Sequence, residues 1–151
     1  MISLLLLILL PWGQTPKREL VQIDVPEAIE ARAGKDFEVA VKFYVADGYH
    51  INSNKPTEEY MIPTRIEWQA SSVKHLDNVF PPAEMKAFGF SSGKKLSVYE
   101  GMRIVKARFT APASPGRITL EGTFRYQACD NRACYPPAKV PVKVSVNVAG
   151  K

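Results

Sequence analysis

The chain has 151 residues, enough for one domain with a substantial core and too few for two comfortable ones. Its 46% hydrophobic and 23% charged residues are ordinary globular values, which exclude a disordered chain and a polytopic membrane protein. The net charge of +5 is dispersed, densest at Lys17-Arg18 and Lys94-Lys95. That is too thin for a nucleic-acid surface, although it would favour an acidic protein partner or anionic headgroups.

The N-terminus opens on an apolar run from Ile2 to Leu10, followed by Pro11 and Trp12. The run is too short to span a bilayer, which takes about 20 residues, and has the form of a secretory h-region. It predicts a signal peptide or N-terminal anchor over residues 1–15, ahead of a domain over 17–151 in the periplasm or otherwise outside the cell. No Lys or Arg precedes the run and no Ala-x-Ala site follows it, so an upstream start and a retained anchor both stay open. A buried first strand is the plainer alternative. In an exported protein two cysteines are normally paired.

Beyond the leader, Val21, Ile23 and Val25 alternate with polar residues and stop at Pro26, as an edge strand does. Phe37, Val39, Val41, Phe43 and Val45 then point one way and Asp36, Glu38, Lys42 and Tyr44 the other, until Asp47-Gly48 turns the chain. Residues 49–63 lose the alternation and read as a loop, with a helical turn at Thr57 to Tyr60. Strand patterns return over Thr64 to Ala70 and over Val73 to Phe80. Residues 83–100 read as a second irregular region, with Phe88 and Phe90 flanking Gly89 ahead of Ser91-Ser92-Gly93. Two apolar rings on such a loop either tuck into the core or cover something on the surface.

Met102 to Phe109 is again a strand, and Ala111 to Gly116 connects it to the next. Ile118, Leu120, Gly122, Phe124 and Tyr126 alternate with polar neighbours, as do Val140, Val142, Val144, Val146 and Val148. These two runs predict a hairpin with the cysteine segment at its end. At least seven short strands and no sustained helical period define the fold class as all-β, an immunoglobulin-like antiparallel β-sandwich. The inter-sheet disulfide of antibody domains is absent, since the only cysteines are Cys129 and Cys134.

Those cysteines admit two readings. As a brace, a loop of about six residues gains only about 2 kcal/mol in the chain-entropy model, and less in a hairpin whose ends already meet. As a redox pair, they need a thiolate that forms readily and a sulfur that a partner can reach. Arg132 would favour such a thiolate and Asp130 would oppose it. Tyr126, Tyr135 and Pro136-Pro137 give the site an aromatic, stiff surround for docking, and the Phe88/Phe90 loop is an available shield. A zinc site would need four ligands, and Cys129, Cys134, His50 and His75 have no recognised spacing, so no metal and no cofactor are expected. Neither histidine stands in a Ser/His/Asp motif, and each reads as a surface or packing residue.

The run Tyr126-Gln127-Ala128-Cys129-Asp130-Asn131-Arg132-Ala133-Cys134-Tyr135-Pro136-Pro137 resembles the hallmark of the N-terminal periplasmic domain of the thiol:disulfide interchange protein DsbD family. Gly48-Tyr49-His50-Ile51, the Phe-Gly stretch at Phe88 and Val98-Tyr99-Glu100-Gly101 extend the likeness over most of the chain. The resemblance implies an immunoglobulin-like sandwich that relays electrons by thiol-disulfide exchange. Its donor would be a membrane-embedded electron-transfer protein in a separate chain. Its acceptors would be thioredoxin-like periplasmic proteins, such as disulfide isomerases and those of cytochrome c maturation. It also implies that Cys134 enters the mixed disulfide, that Cys129 resolves it, and that Phe88 or Phe90 caps the pair. The chain departs from the family form in having four residues between the cysteines instead of five. It also carries neither the membrane segments nor the thioredoxin-like domain of the full protein. The competing class is a secreted immunoglobulin-like binding module with a purely structural disulfide.

Overall fold

Alternation of side chains between two environments organises the longest strands. Along Asp36–Val45 the buried positions are Val39, Val41, Phe43 and Val45, each fully shielded, with exposed residues between them. In the computed structural model, which describes residues 19–69 and 72–150, this is the third of twelve strands. They are β1 Val21–Asp24, β2 Ala28–Arg32, β3 Asp36–Val45, β4 His50–Asn52, β5 Arg65–Trp68 and β6 Lys74–Val79. Then come β7 Glu84–Ala87, β8 Lys95–Tyr99, β9 Met102–Thr110, β10 Gly116–Tyr126, β11 Ala128–Cys129 and β12 Ala138–Ala149. The expected leader at 1–15 lies outside the described residues.

One sheet has the order β1-β3-β9-β6 and a second the order β2-β12-β10-β5. The β10·β12 ladder is the expected hairpin, in register from Gly116↔Val148 to Tyr126↔Ala138. β2, which the sequence analysis did not mark, pairs parallel to β12 through Val146↔Ile29. Between the sheets Phe43, Val105, Phe109, Leu120, Phe124 and Val144 belong to one buried cluster, the core of an immunoglobulin-like sandwich. Phe43 meets Phe124 at 5.1 Å and Tyr99 at 5.7 Å between ring centroids. At Gly122 an added Cβ would stand 2.7 Å from Trp68, so the indole occupies the space a side chain would need.

A third sheet, β11-β4-β8-β7, carries the candidate site. It grows out of the first. After β3 the chain turns through Asp47 and Gly48, whose φ of 82° suits glycine, and Tyr49 N–H closes on the Ala46 carbonyl at 3.0 Å. It continues as β4 beside β8, as Ile51↔Tyr99, while β8 runs through Glu100-Gly101 into β9. β10 contributes by leaving the second sheet at Gln127, after which β11 pairs with β4.

Two sequence expectations are corrected here. Residues 83–100 are a hairpin of β7 and β8, in register from Glu84↔Val98 to Ala87↔Lys95, with a single 3₁₀ turn at Gly89–Ser91 as its tip. The loop at 49–63 contains β4, and its expected helical turn is a reverse turn in which Met61 N–H donates to the Glu58 carbonyl at 3.1 Å.

Candidate functional site: the Cys129–Cys134 turn and its cap

The cysteine segment is a tight turn built by one carboxylate. Asp130 Oδ1 accepts from the backbone N–H of Arg132 at 2.7 Å and of Ala133 at 2.9 Å, and Oδ2 accepts from the Tyr135 hydroxyl at 2.8 Å. Asp130 N–H donates to the Ala133 carbonyl at 3.0 Å and Tyr135 N–H to the Ala128 carbonyl at 2.8 Å. These bonds bring residues 129 and 134 face to face across an antiparallel bridge, joined by a disulfide with Cα atoms 3.9 Å apart. That is closer than the usual span of roughly 4.4–6.8 Å.

The two cysteines differ in access. Cys129 is 1% exposed and sits on β11, paired with His50 of β4, whereas Cys134 is exposed on the outer limb of the turn. The Arg132 and Ala133 N–H groups and the Tyr135 hydroxyl hold the Asp130 carboxyl below the usual carboxylate range, so the turn carries a fixed negative charge at neutral pH. The same bond pushes the Tyr135 hydroxyl up to about 12. Arg132 is exposed and its charge faces Asp130, which offsets part of that field.

The β7·β8 hairpin comes down on this turn. Gly89 N–H donates to Asn131 Oδ1 at 2.9 Å, and a Cβ on Gly89 would stand 2.9 Å from the Asn131 carbonyl oxygen. Only a glycine lets the tip approach that closely. The tip holds its own shape: Ser91 Oγ accepts from Phe88 N–H at 3.0 Å and donates to the Lys94 carbonyl at 2.7 Å. At its base Lys86 pairs with Glu100 and Arg103 with Glu84.

Phe88 and Phe90 are half-buried and do not enter the sandwich core. With Met61, Leu96 and Val98 they make a separate small cluster under the hairpin. Phe88 lies flat on His50, with centroids 3.7 Å apart and planes 14° from parallel, while Phe90 is 6.2 Å from the same ring. His50 is the residue directly opposite Cys129 across the β4·β11 pair. Phe88 therefore covers the side chain next to the buried cysteine, and Phe90 flanks that stack, 5.9 Å from Phe88.

His50 is 2% exposed. Burial lowers its pKa to about 4, against the opposing charges of Glu100 and Asp130, so the imidazole is neutral at neutral pH. His50, Asn131 and Gly89 are site residues that the sequence reading left without a role. A histidine followed by Ile51 and Asn52 reads as packing, and a hydrogen bond spanning 42 residues has no local signal.

Of the expected surround, Tyr126 is buried in the sandwich core, with only part of its ring reaching the surface, and Tyr135 lies outside against Tyr49 at 6.0 Å. Together with Leu20, Tyr49, Pro136 and Pro137 they line an apolar groove of about 340 Å³ beside Cys134. Among the described residues no three His, Cys, Asp or Glu side chains gather as a metal site, and no helix is long and apolar enough to cross a membrane.

The family model described as "Thiol:disulfide interchange protein DsbD, N-terminal" matches residues 18–145. The chain belongs to that family. Solved DsbD N-terminal domains have its fold. That of Neisseria meningitidis in the reduced form is 20% identical, with a TM-score of 0.55 over 85% of this chain and 86% of its own. The same organism's DsbD N-terminal domain in complex with the PilB N-terminal domain gives 21% identity and a TM-score of 0.53 over 85% of each chain. The N-terminal periplasmic domain of ScsB from Proteus mirabilis gives 15% identity and a TM-score of 0.61, covering 88% of this chain and 49% of that one. No curated protein sequence matches the chain. A DsbD N-terminal domain with a cysteine pair, one member of it exposed, is thus a thiol:disulfide interchange module, in which Cys129 and Cys134 form the disulfide.

Proposed function

We propose that this domain is an exported electron relay in which Cys134 enters the mixed disulfide with each partner and Cys129 resolves it. The observation that carries the reading is the difference in access between the two residues, one exposed and the other 1% exposed. Thiol-disulfide exchange requires a thiolate to approach the attacked sulfur along the S–S axis, so only the reachable sulfur can accept an external nucleophile.

Reduction begins when a donor thiolate attacks Cys134 Sγ, breaking the Cys129–Cys134 bond and releasing Cys129 as a thiolate. The donor's second thiolate then attacks the donor sulfur and frees Cys134. In the oxidative half, the Cys134 thiolate attacks an acceptor disulfide, expelling one acceptor thiolate and leaving a mixed disulfide. Cys129 attacks Cys134 Sγ, expels the other acceptor thiolate and restores the internal bond. Two electrons cross in each half, with no cofactor.

The acceptors are thioredoxin-like periplasmic proteins, including those of cytochrome c maturation, and the donor is a membrane-embedded electron-transfer protein. The groove between Tyr126, Tyr135 and Pro136 offers an apolar landing for either partner beside Cys134. The N. meningitidis complex, in which a DsbD N-terminal domain binds a PilB domain, supports docking of this kind. Phe88 is the cap, because it lies on His50 beside a tip tied to the cysteine turn, and Phe90 flanks the stack.

The test is covalent trapping. Reduced Cys129→Ser should form a stable mixed disulfide with a thioredoxin-like domain whose own resolving cysteine has been removed, and Cys134→Ser should form little. Equal trapping by both variants would overturn the assignment. A reduction potential below about −300 mV would instead favour a structural disulfide in a binding module.

A further inference from the structure

His50 is a buried titratable side chain that these exchange steps leave unused. It and Cys129 are directly opposed across β4 and β11, so their side chains leave the same face of the sheet with Cβ atoms about 4.5–5.5 Å apart. Phe88 covers one face of the ring at 3.7 Å, and Nε2 is shut off from solvent with no hydrogen-bond partner. A buried ring nitrogen without a hydrogen-bond partner is unusual in a folded protein and calls for a reason. The oxidised state supplies one: a disulfide sulfur carries no proton. Reduction places an S–H on Cys129, the residue directly opposite His50.

A buried thiol needs such help. Burial in apolar surroundings raises a thiol pKa, yet only the thiolate can attack the mixed disulfide at Cys134. We propose that His50 Nε2 is the proton acceptor for the Cys129 thiol in the step that resolves the mixed disulfide. This rests on the reading of Cys129 as the resolving cysteine. The proton passes from Cys129 Sγ to Nε2, in the tautomer that already carries its proton on Nδ1. The sulfur's electron pair forms the bond to Cys134 Sγ, and the bond from Cys134 to the partner breaks. The partner leaves as a thiolate, and the imidazolium gives its proton to that thiolate or to water.

The charged groups facing the ring are Glu100 and Asp130, which favour the imidazolium, and Lys86, which opposes it and is itself paired with Glu100 and Glu84. Burial outweighs the two carboxylates in the oxidised domain and keeps the ring neutral, with its lone pair available. A forming thiolate at Cys129 adds a negative charge that raises the ring's affinity for the proton at that moment.

The experiment mixes fully reduced domain with excess 5,5′-dithiobis(2-nitrobenzoate) and follows release of the coloured thiol in two phases. The first reports attack by Cys134 and the second resolution by Cys129. In His50→Leu and His50→Gln the second phase at pH 6 should fall about 100-fold with the first unchanged. The gap should close as pH rises past the thiol's own pKa, where hydroxide removes the proton. A second phase that is unchanged, or slowed by the same factor at every pH as a packing defect would do, overturns the proposal. The unchanged first phase verifies the fold, and if the leucine variant does not fold, the glutamine variant carries the test. The probe is a small disulfide, so the absence of a protein partner does not affect it. An error in the Cys134/Cys129 assignment shows separately, as failure of Cys129→Ser to hold one stable nitrobenzoate adduct.

Discussion

Gly89→Ala tests whether the hairpin tip guards the disulfide. The backbone at residue 89 is not in the left-handed region, so alanine fits its conformation and the effect is confined to the new methyl. That methyl would sit 2.9 Å from the Asn131 carbonyl oxygen, a backbone atom held within the cysteine turn. The tip must lift by several tenths of an ångström, which stretches the 2.9 Å bond from Gly89 N–H to Asn131 Oδ1. An exposed hydrogen bond of this type contributes about 1 kcal/mol net, so the closed-to-open ratio should fall about fivefold. Cys134 has exposed surface with the tip in place, so what the tip can govern is approach along the S–S axis. With that line open only when the tip is lifted, the pseudo-first-order rate of disulfide reduction by dithiothreitol should rise about fivefold. Asn131→Ala, which removes the acceptor and keeps the backbone oxygen, should give a similar increase. Rates equal to the parent's, with the urea midpoint lowered in both variants, would refute the idea that this contact controls access.

Stability should also depend on acidity through His50. Its folded pKa of about 4 lies below the ordinary 6.5, so the unfolded chain binds the proton first. The stabilisation is full above pH 6.5, declines as pH falls toward 4 and then levels, by at most about 3 kcal/mol. Urea midpoints of the oxidised protein at pH 7, 5.5 and 4 measure this, and a flat profile in His50→Gln attributes the decline to the ring. Gly122→Ala should destabilise the sandwich by about 1–3 kcal/mol, because a methyl at 2.7 Å from Trp68 also meets the Glu67 carbonyl oxygen at 3.1 Å. Trp68 fluorescence during urea unfolding follows it, and an unchanged midpoint would mean that the indole moves aside freely.

The strands that were legible in the sequence are those with one face in the core and one in water. β3, β10 and β12 alternate over 10, 11 and 12 residues, long enough for period two to be unmistakable. β4 was missed because His50, Ile51 and Asn52 are all buried, so it lacks the contrast that alternation needs. β7 fails in the opposite way: three of the four residues of Glu84–Ala87 are exposed, on the edge of its sheet. In β2, alanine, glutamate and arginine carry helical propensity, and pairing with β12 overrides it. The cysteine pair and the two phenylalanines beside it were legible as candidates because cysteine is rare and phenylalanine is conspicuous in a loop. His50 and Asn131 were not, since their importance comes from what the fold sets opposite them.

The apolar cluster beneath the cap is separate from the sandwich core, and that separation has a thermodynamic consequence. Met61, Leu96 and Val98 bury little surface compared with the main cluster, while β8 remains anchored through Tyr99 in the core. Opening can thus be local, with the tip and the outer half of the β7·β8 ladder exchanging their amide hydrogens through small fluctuations while β3, β9 and β10 exchange only on global unfolding. Selection could then adjust how often the disulfide meets the outside by changing a few residues around Leu96, at almost no expense to the melting temperature of the domain.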